Sequence, residues 1–174
     1  LITVLGLSFK ANTDDIRKKI QSDNDIIENL LNKTFGPGRY ARSVYRLREN
    51  KAYLDDYSYV CSLNGKILAS ISFCETLINN SYTGLLLGPL AVEPNQVGKG
   101  YGKKLVKYSL DKISINSQIY FIIVVGEYDY YKEFGFNKLD NHFVFYGPVN
   151  KNRVLIKINK SEMKLKDMGE IIFS

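Results

Sequence analysis

The stretch that decides the fold is "LLLGPLAVEPNQVGKGYGKKLVKYSL", residues 85–110, in which an apolar run leads through a proline-bearing turn into three glycines and a lysine-rich segment. The apolar run predicts a strand over 83–92, and the helical spacing after the glycines predicts a helix over about 100–114. The apolar face of that helix carries Gly102, Leu105, Val106, Ser109, Leu110 and Ile113. The stretch is therefore a strand–loop–helix unit whose glycines lie at the start of the helix, with Gly102 as a close-packing residue.

The glycine-rich turn does not fit the two best-known phosphate-binding patterns. A P-loop needs four residues between its glycines and a Ser or Thr after its lysine, whereas here Gly102 follows Gly98 one residue too soon and Lys104 follows Lys103. A dinucleotide-binding turn would need its third glycine one residue later. What remains is a row of backbone amides at a helix N-terminus, where unpaired N–H groups and the positive dipole end favour an anion. The turn is either an anion-binding loop or an ordinary tight turn.

The rest of the chain alternates between predicted strands and helices. In its first half the patterns predict an edge strand at 14–20, a helix with Ser22 or Asp23 as N-cap that continues through Leu31, a helix from Tyr40 to Arg48, and a hairpin of 57–63 and 67–75. After the decisive stretch they predict a strand at 119–125, a short helix at 127–134, strands in "HFVFYGPV" and "RVLIKI", and an irregular or weakly helical end at 160–174. Strand runs with interspersed helices indicate an α/β (α+β) fold with a mixed sheet.

Each of the two N-terminal helices is predicted from one stripe at helical spacing. The first stripe consists of Ile26, Ile27, Leu30 and Leu31, and the second of Ala41, Val44, Tyr45 and Arg48. Pro37 and Gly38 supply the turn between the helices.

The two cysteines are predicted to stay reduced. They flank "SLNGKILASISF", whose Asn64–Gly65 pair predicts a two-residue hairpin turn in which Leu63 faces Lys66 and Cys61 faces Leu68. Cys74 then lies six residues further along the strand, roughly 20 Å away, which is far beyond the reach of a disulfide. Two free thiols are typical of the cytoplasm.

Length and composition indicate one globular domain. Hydrophobic residues make up 45% and charged residues 24% of the 174 residues, so we expect a single domain over 13–174, preceded by an extension of uncertain role at 1–12. The apolar start "LITVLGLSF" lacks the basic and cleavage regions of a signal peptide. No apolar run reaches the roughly 18 residues of a membrane span, so no membrane association is expected.

The charge of the chain favours anionic partners. A net charge of +6 would suit nucleic acid, an acidic membrane surface or a phosphorylated small molecule. The lysines are spread over the whole chain without an aromatic-plus-basic motif, so no specific nucleic acid partner is expected. A basic nucleic-acid-binding protein stays as an alternative that a salt-dependent mobility shift would support.

Taken together, four segments resemble the GCN5-related N-acetyltransferase (GNAT) superfamily and, within it, the YhbS-like bacterial acetyltransferases. They are "FGPGRYARSVYRLRE", "LLLGPLAV", "PLAVEPNQVGKGYGKKLV" and "VGEYDYYKEFGF", and the similarity runs from about Asp14 to the C-terminus. The resemblance implies a central, mostly antiparallel mixed sheet of about seven strands, flanked by about four helices. Its fourth and fifth strands would splay apart in a V that admits the pantetheine arm of acetyl-CoA.

The sequence has a local reason for such a splay. Pro89 lacks the N–H that a ladder needs and Gly88 permits an irregular backbone, so a bulge or broken pairing is expected there. The resemblance places Leu90, Ala91 and Val92 along the coenzyme, with the Leu90 amide polarising the thioester carbonyl and Val92 pairing with pantetheine amides.

The resemblance also assigns the glycine-rich turn to the coenzyme pyrophosphate. The expected contacts come from Val97, Gly98, Lys99, Gly100, Tyr101, Gly102 and Lys103. The family pattern begins with Arg or Gln, and that position falls on Val97, while Gln96 lies one residue earlier. Valine cannot make the polar side-chain contact to the phosphates that the family pattern implies, whereas the backbone amides still suit an anion.

The implied chemistry is direct attack of a primary amine on the thioester through a tetrahedral intermediate. Presenting a lysine-type amine in its neutral form at pH 7 costs about 4.6 kcal/mol, so a base or a low-pKa amine is needed. Tyr131, four residues before Gly135, matches the family's frequent tyrosine acid, and the alternative is a tyrosine that packs in the core or against the ligand. Glu75 and Glu127 are the candidate bases, beside a water chain and the simpler reading that both are exposed carboxylates.

No histidine-based triad and no metal site is expected, because His142 is the only histidine and lies beyond the motif. The predicted function is an acetyl-CoA-dependent N-acetyltransferase, with an acyl-CoA-binding module without turnover as the alternative. The acceptor is not identified. The residues Tyr40, Tyr45, Tyr53, Arg39, Arg42 and Arg46 form either an acceptor rim or ordinary helix packing. The resemblance allows a monomer or a homodimer.

Overall fold

One mixed sheet organises the protein, as seen in a computed structural model that describes residues 15–48, 51–139, 144–145, 149–160 and 170–172. Its strands in the described residues are β1 (Asp15–Lys18), β2 (Tyr59–Leu63), β3 (Lys66–Ile78), β4 (Tyr82–Val92), β5 (Phe121–Val125), β6 (Asn137–Lys138), β7 (Val144–Phe145), β8 (Val154–Ile158) and β9 (Glu170–Ile172). Seven of them follow the order β1-β2-β3-β4-β5-β8-β6, and β9 pairs with both β3 and β7. The predicted mixed, mostly antiparallel sheet is confirmed.

Four α-helices accompany the sheet in the described residues. They are α1 (Asn24–Phe35), α2 (Ser43–Arg46), α3 (Tyr101–Ser114) and α4 (Tyr128–Tyr131). Only α1 and α3 are longer than about one turn. No helix in these parts of the chain has the length and apolarity needed to cross a bilayer.

Helix α3 is the connection between the two parallel central strands. β4 and β5 pair in parallel, and a parallel pair needs a crossover of a dozen or more residues, usually a helix. The predicted apolar face of α3 is buried throughout, together with Tyr101. That face packs with residues of β2, β3, β4 and β5 in the largest apolar cluster. This packing fixes the start of α3 close to the end of β4.

The hairpin prediction is largely confirmed. Asn64 and Gly65 both have positive φ angles, 51° and 76°, as the turn chemistry requires, and Leu63 pairs with Lys66. Cys61, however, pairs with Ala69 rather than Leu68, because the register shifts at a bulge between Cys61 and Ser62. Both cysteines are buried and free, as predicted.

The predictions for α1 need two corrections. The helix begins after Asp23 and continues past Leu31 to Phe35, where Gly36 with a φ of 77° ends it. Ile27, Leu30 and Leu31 are buried, but Ile26 is 52% exposed, because at 100° per residue it lies at the edge of the stripe that the others form.

The single helix predicted from Tyr40 to Arg48 is wrong. A 3₁₀ turn covers Pro37–Ala41, and α2 is a single turn over Ser43–Arg46. Arg42 between them is extended, with φ −74° and ψ 138°, which breaks the helical path. The segment thereby becomes a compact double turn rather than a straight rod.

The C-terminal prediction also needs correction. The segment 160–174 contains β9, which pairs with Leu77 and Ile78 of β3. Ile171 is fully buried there, so burial of this short apolar group outweighs the weak local preference of the segment. The predicted extension at 1–12 lies outside the described residues.

We predict that Gly84→Ala destabilises the protein by about 1–3 kcal/mol, the usual cost of overpacking a core. A Cβ at Gly84 would lie 2.4 Å from the ring of Phe121, which is fully buried. Urea unfolding measures the effect, with Gly38→Ala as the matched control, since a Cβ there meets no atom within 4 Å. Equal stability of the two variants would contradict the close approach of β4 to β5.

Candidate active site

The two central strands separate halfway along their length. β4 and β5 pair at Gly84–Phe121, Leu85–Ile122 and Leu86–Ile123. Beyond Leu86 the ladder stops, while β4 continues to Val92 and β5 to Val125. The predicted V-shaped splay is therefore present, and it opens toward the loop that begins α3.

A bulge on β4 determines which backbone groups face the splay. Phe73 of β3 pairs with Leu87 and Ile71 pairs with Leu90, so a single residue of β3 opposes both Gly88 and Pro89. The peptide bond between these two residues is cis, and Gly88 has a φ of 123°. The bulge predicted at this dipeptide is confirmed.

Beyond the bulge, the extra residue changes which backbone groups of β4 point to β3 and which point to the splay. The Glu93 amide donates to the Leu68 carbonyl at 2.7 Å. Because hydrogen-bonded and non-bonded pairs alternate in an antiparallel ladder, Ala91 also directs its polar groups to β3, whereas Leu90 and Val92 direct theirs to the splay. The Val92 carbonyl accordingly accepts a hydrogen bond from Thr34 Oγ1 at 3.2 Å. The family resemblance places Ala91 along the coenzyme, but in the structure its backbone polar groups face Ser70 of β3.

A cavity of about 500 Å³ fills the space between the separated strands. Leu87 to Leu90 of β4 and Val124 and Val125 of β5 line its floor, and Tyr131 reaches it from α4. Three arginines, Arg42, Arg48 and Arg153, line it as well. Among the described lining residues there is no carboxylate and no histidine.

Arg48 is the residue of this cleft that the sequence did not single out as functional. It is 8% exposed, and its Nη2 donates to the Leu87 carbonyl at 3.1 Å. A Cβ at Gly88 would lie 2.3 Å from the same Nη2, so the glycine leaves room for the guanidinium. The available signal was an arginine on an otherwise apolar stripe.

Tyr131 has the environment of a hydroxyl that stays protonated. It is 8% exposed, its ring packs edge-on against Phe136 at 5.6 Å, and a Cβ at Gly126 would lie 2.4 Å from it. Burial raises the pKa of Tyr131 well above its ordinary value of about 10. At neutral pH the side chain is therefore a hydrogen-bond donor.

Tyr130, its neighbour, points to the start of α3 instead. Its hydroxyl would lie 2.9 Å from a Cβ at Gly102, and burial raises the pKa of Tyr130 to about 12. Val92 Cγ2 would lie 3.2 Å from the same Cβ, which confirms Gly102 as a close-packing residue. The end of β4 and the start of α3 therefore lie next to Tyr130 of α4.

The glycine-rich turn is open on its outer side. Gly98 and Gly100 have positive φ angles of 86° and 88°, and a Cβ at either would meet nothing within 4 Å. The Lys104 amide donates to the Gly100 carbonyl at 2.9 Å, so the amides of the first three residues of α3 lie before the intrahelical ladder begins. The first backbone amides of α3 therefore lie before the intrahelical ladder, next to a turn that is open at Gly98 and Gly100.

Other groups of the turn are engaged elsewhere. The Lys99 amide donates to the Gln96 carbonyl at 3.3 Å and its Nζ to Gln96 Oε1 at 2.9 Å. Lys103 pairs with Glu133 at 2.5 Å, Tyr101 is buried in the core, and the Val97 side chain is 68% exposed. The side chains of Lys99 and Lys103 are thus engaged within the protein, whereas the turn is open at Gly98 and Gly100.

The two predicted bases are not brought into the cleft. Glu75 is exposed on β3, and Glu127 at the start of α4 pairs with Arg153 at 3.0 Å while its side chain stays 73% exposed. His142 lies outside the described residues, and no cluster of potential metal ligands occurs within them.

The raised pKa of Tyr131 makes a prediction for alkaline stability. The folded-state pKa lies above the unfolded value of about 10, so the contribution to stability is complete below pH 10 and is lost as the pH rises above it. Between pH 10 and 11, Tyr131→Phe should lose stability less steeply than the wild type, by up to about 1.4 kcal/mol per pH unit. Urea unfolding at pH 8, 10 and 11 measures this, and parallel curves would contradict the burial of a protonated hydroxyl.

The acetyltransferase (GNAT) family model matches residues 24–136, which include both strands of the splay, the glycine-rich turn and Tyr131. The match spans more than half of the chain, so the fold and site define an acyltransferase domain. The chain belongs to the acetyltransferase (GNAT) family.

Solved structures of the family have the same fold. The GNAT family N-acetyltransferase YhbS from Escherichia coli, in complex with CoA, superimposes with a TM-score of 0.76 and 22% identity over 91% of this chain and 88% of that one. A GNAT acetyltransferase from Brucella melitensis, in complex with acetyl-CoA, gives 0.69 and 24% over 93% and 96%. A Staphylococcus aureus GNAT acetyltransferase gives 0.59 and 16% over 85% and 100%. A search of curated proteins finds no significant match.

Proposed function

We propose that this protein transfers the acetyl group of acetyl-CoA to a primary amine. The observation that carries the proposal is the alignment of the splay with the glycine-rich turn. Backbone groups of Leu90 and Val92 face the gap between β4 and β5, and the glycine-rich turn, which is open at Gly98 and Gly100, connects the end of β4 to the start of α3. An elongated ligand with amides along its arm and a phosphate at its end fits this sequence of donors and acceptors.

The residues present fit the coenzyme. The gap after Leu86 and Ile123 leaves room for the pantetheine arm, whose amides could pair with the backbone of Val92. The pyrophosphate would accept hydrogen bonds from the turn and from the first amides of α3, where the helix dipole favours negative charge. Coenzyme binding is supported by the similarity to the E. coli structure in complex with CoA and the B. melitensis structure in complex with acetyl-CoA.

The chain supplies two donors for the reaction. Acetyl-CoA presents the acetyl group as a thioester, which is open to direct attack by an amine. The Leu90 amide is positioned by the bulge to donate to the carbonyl oxygen, where negative charge develops. The Tyr131 hydroxyl, protonated at neutral pH, donates to the sulfur of the leaving group.

The proton on the attacking amine leaves through water. Within the described residues the cleft carries no carboxylate, and Glu127 is held by Arg153 at the rim. A water molecule, or an acceptor amine with a low pKa, therefore takes the place of a side-chain base. A rate that rises with pH until the acceptor amine is neutral is the expected consequence.

The lack of a carboxylate in the described lining of the cleft also leaves one alternative to acetyl transfer. A cleft without a carboxylate also suits an acyl-CoA-binding module that does not turn over. The two functions are separated by measuring CoA thiol release from acetyl-CoA with a panel of primary amines. Amine-dependent thiol release with a matching acetylated product supports the transferase, whereas tight acetyl-CoA binding without any release supports the module.

A further inference from the structure

A second cavity of about 320 Å³ adjoins the cleft. Its walls include Tyr40, Tyr45 and Tyr53, the arginines Arg39 and Arg48, and Glu28. Tyr45 and Arg48 line both cavities. The smaller cavity is therefore a side chamber that shares part of its wall with the cleft.

Three buried polar atoms without partners converge on this side chamber. Among the described residues, Arg39 Nε, Arg48 Nε and the Tyr45 hydroxyl are buried and have no hydrogen-bond partner. Arg39 is 1% exposed and Arg48 8% exposed. Leaving a buried polar group unpaired is unfavourable, so a ligand that enters the chamber and supplies the missing partners would be stabilised there. The two guanidinium N–H groups can only donate, and the tyrosine hydroxyl can also donate.

The charges around the chamber are unbalanced. Arg39 is paired with Glu28, and the Tyr40 hydroxyl donates to the same carboxylate at 2.7 Å. Among the described residues, Arg48 has no carboxylate within ion-pair distance. Its guanidinium donates a hydrogen bond to the neutral Leu87 carbonyl. The lining thus carries two cations and one anion, and the uncompensated charge is the buried Arg48.

Within the part of the chain that the structure describes, no side chain near Arg48 supplies the missing negative charge. Burial raises the pKa of Tyr45 and of Tyr53, so both phenols are neutral at pH 7. Burial also raises the pKa of the Cys74 thiol, which lies near Arg48. A buried cation without a partner is unfavourable, and an anion that enters from the cleft would relieve this cost.

We propose that the side chamber binds an anionic group of the acceptor, so that the favoured acceptor is a small amine that carries a carboxylate or a phosphate. This inference rests on the proposed acetyl transfer, because it assigns the chamber to the acceptor. Arg48 and the Tyr45 hydroxyl hold the anion where the chamber meets the cleft, and Arg39 Nε adds a donor from the far wall. The planar guanidinium matches the geometry of both anions.

The charge of the main cleft agrees with this assignment. Arg42, Arg48 and Arg153 line it, and its described lining carries no carboxylate. Arg153 is paired with Glu127 at the rim, yet the three arginines outnumber this one carboxylate, so a polyamine or a lysine-rich peptide would meet a net positive charge there. An amine tethered to an anion is attracted into the cleft by the same field.

The proposal is tested by NMR titration of the protein, with and without saturating CoA, using matched pairs of amines. The pairs are glycine and glycinamide, β-alanine and β-alaninamide, and O-phosphoethanolamine and ethanolamine. The anionic member of at least one pair should bind about tenfold or more tightly than its neutral partner, because hydrogen bonds to charged groups are the stronger ones. The pair that responds distinguishes carboxylate from phosphate.

Three variants complete the test. Arg48→Met should reduce the affinity for the anionic amine to that of its neutral partner, and Tyr45→Phe should weaken it by about threefold to tenfold through the loss of one hydrogen bond. Lys66→Met, which removes an equal charge from the exposed start of β3, should leave the affinity unchanged. Tyr45→Phe decides the question even if Arg48→Met does not fold.

Equal binding of acids and amides, or unchanged affinity in Tyr45→Phe and Arg48→Met, would overturn the anion site. These titrations need no turnover. Selective binding of the anionic amine without its acetylation would therefore support the anion site and refute the proposed transfer. Acetylation of neutral and anionic amines with equal KM would refute the anion site alone.

Discussion

Replacing Gly100 by glutamate should weaken acetyl-CoA binding by about hundredfold or more, because like charges brought together at a binding site cost several kcal/mol. Gly100 precedes α3 with a φ of 88° and a ψ of −1°, and a Cβ there points into open space. The added carboxylate would thus reach the concavity assigned to the pyrophosphate without a clash inside the protein. Isothermal titration calorimetry with acetyl-CoA measures the loss.

The matched control is Gly100→Asn. Asparagine tolerates the left-handed conformation better than most residues and adds no charge, so it separates backbone strain from repulsion. We expect its affinity to stay within about tenfold of the wild type, since strain at a single left-handed residue costs about 1–2 kcal/mol. If glutamate and asparagine weakened binding equally, the turn would be a structural feature and not a phosphate cradle.

Tyr131→Phe should lower kcat by about 10²–10⁴-fold, the range associated with loss of a general acid. The variant removes only the hydroxyl, whose pKa burial holds above the ordinary value, and leaves the ring packed against Phe136. The affinity for acetyl-CoA should change little, because the proposed role is confined to the leaving sulfur. Steady-state kinetics with the best amine from the panel, paired with calorimetry, separates the two effects.

Tyr108→Phe is the control for this experiment. Tyr108 lies on α3 and packs edge-on against Tyr59 at 5.1 Å, away from the cleft, so its loss of a hydroxyl should leave kcat unchanged. A Tyr131→Phe enzyme with normal kcat would contradict the acid role and leave Tyr131 as a packing residue. A fall in acetyl-CoA affinity equal to the fall in kcat/KM would instead assign Tyr131 to coenzyme binding.

The parts of the fold that the sequence predicts well are those with a local cause. Gly88 and Pro89 predict the bulge, because glycine has no side chain and proline has no amide hydrogen. The Asn64–Gly65 turn fixes the hairpin for a similar reason, since both positions need a positive φ. The strand–loop–helix unit around the glycines is equally local, and its buried face follows from helical spacing alone.

The parts that it predicts poorly depend on distant contacts. The bulge between Cys61 and Ser62 shifts the register by one residue without any glycine or proline to mark it. β9 forms because β3 offers Leu77 and Ile78 as partners, which its own sequence cannot reveal.

The candidate site also has some features with a local cause and others that depend on distant contacts. The glycine-rich turn and Tyr131 are recognisable from short patterns, but the exclusion of Glu75 and Glu127 from the cleft depends on how β3 and α4 are placed. Arg48 reaches the cleft because Gly88 leaves space for its guanidinium. Its position on an apolar stripe signals burial, whereas the unpaired Nε and the adjoining chamber are visible only in the folded protein.

The most direct test of the account is calorimetric titration of the wild-type protein with acetyl-CoA. The splay and the glycine-rich turn predict saturable binding of one molecule per chain, with a Kd in the range of about 1 μM to 1 mM that is common for enzyme substrates. The absence of saturable binding over that range would contradict the assignment of the gap between β4 and β5 to the coenzyme.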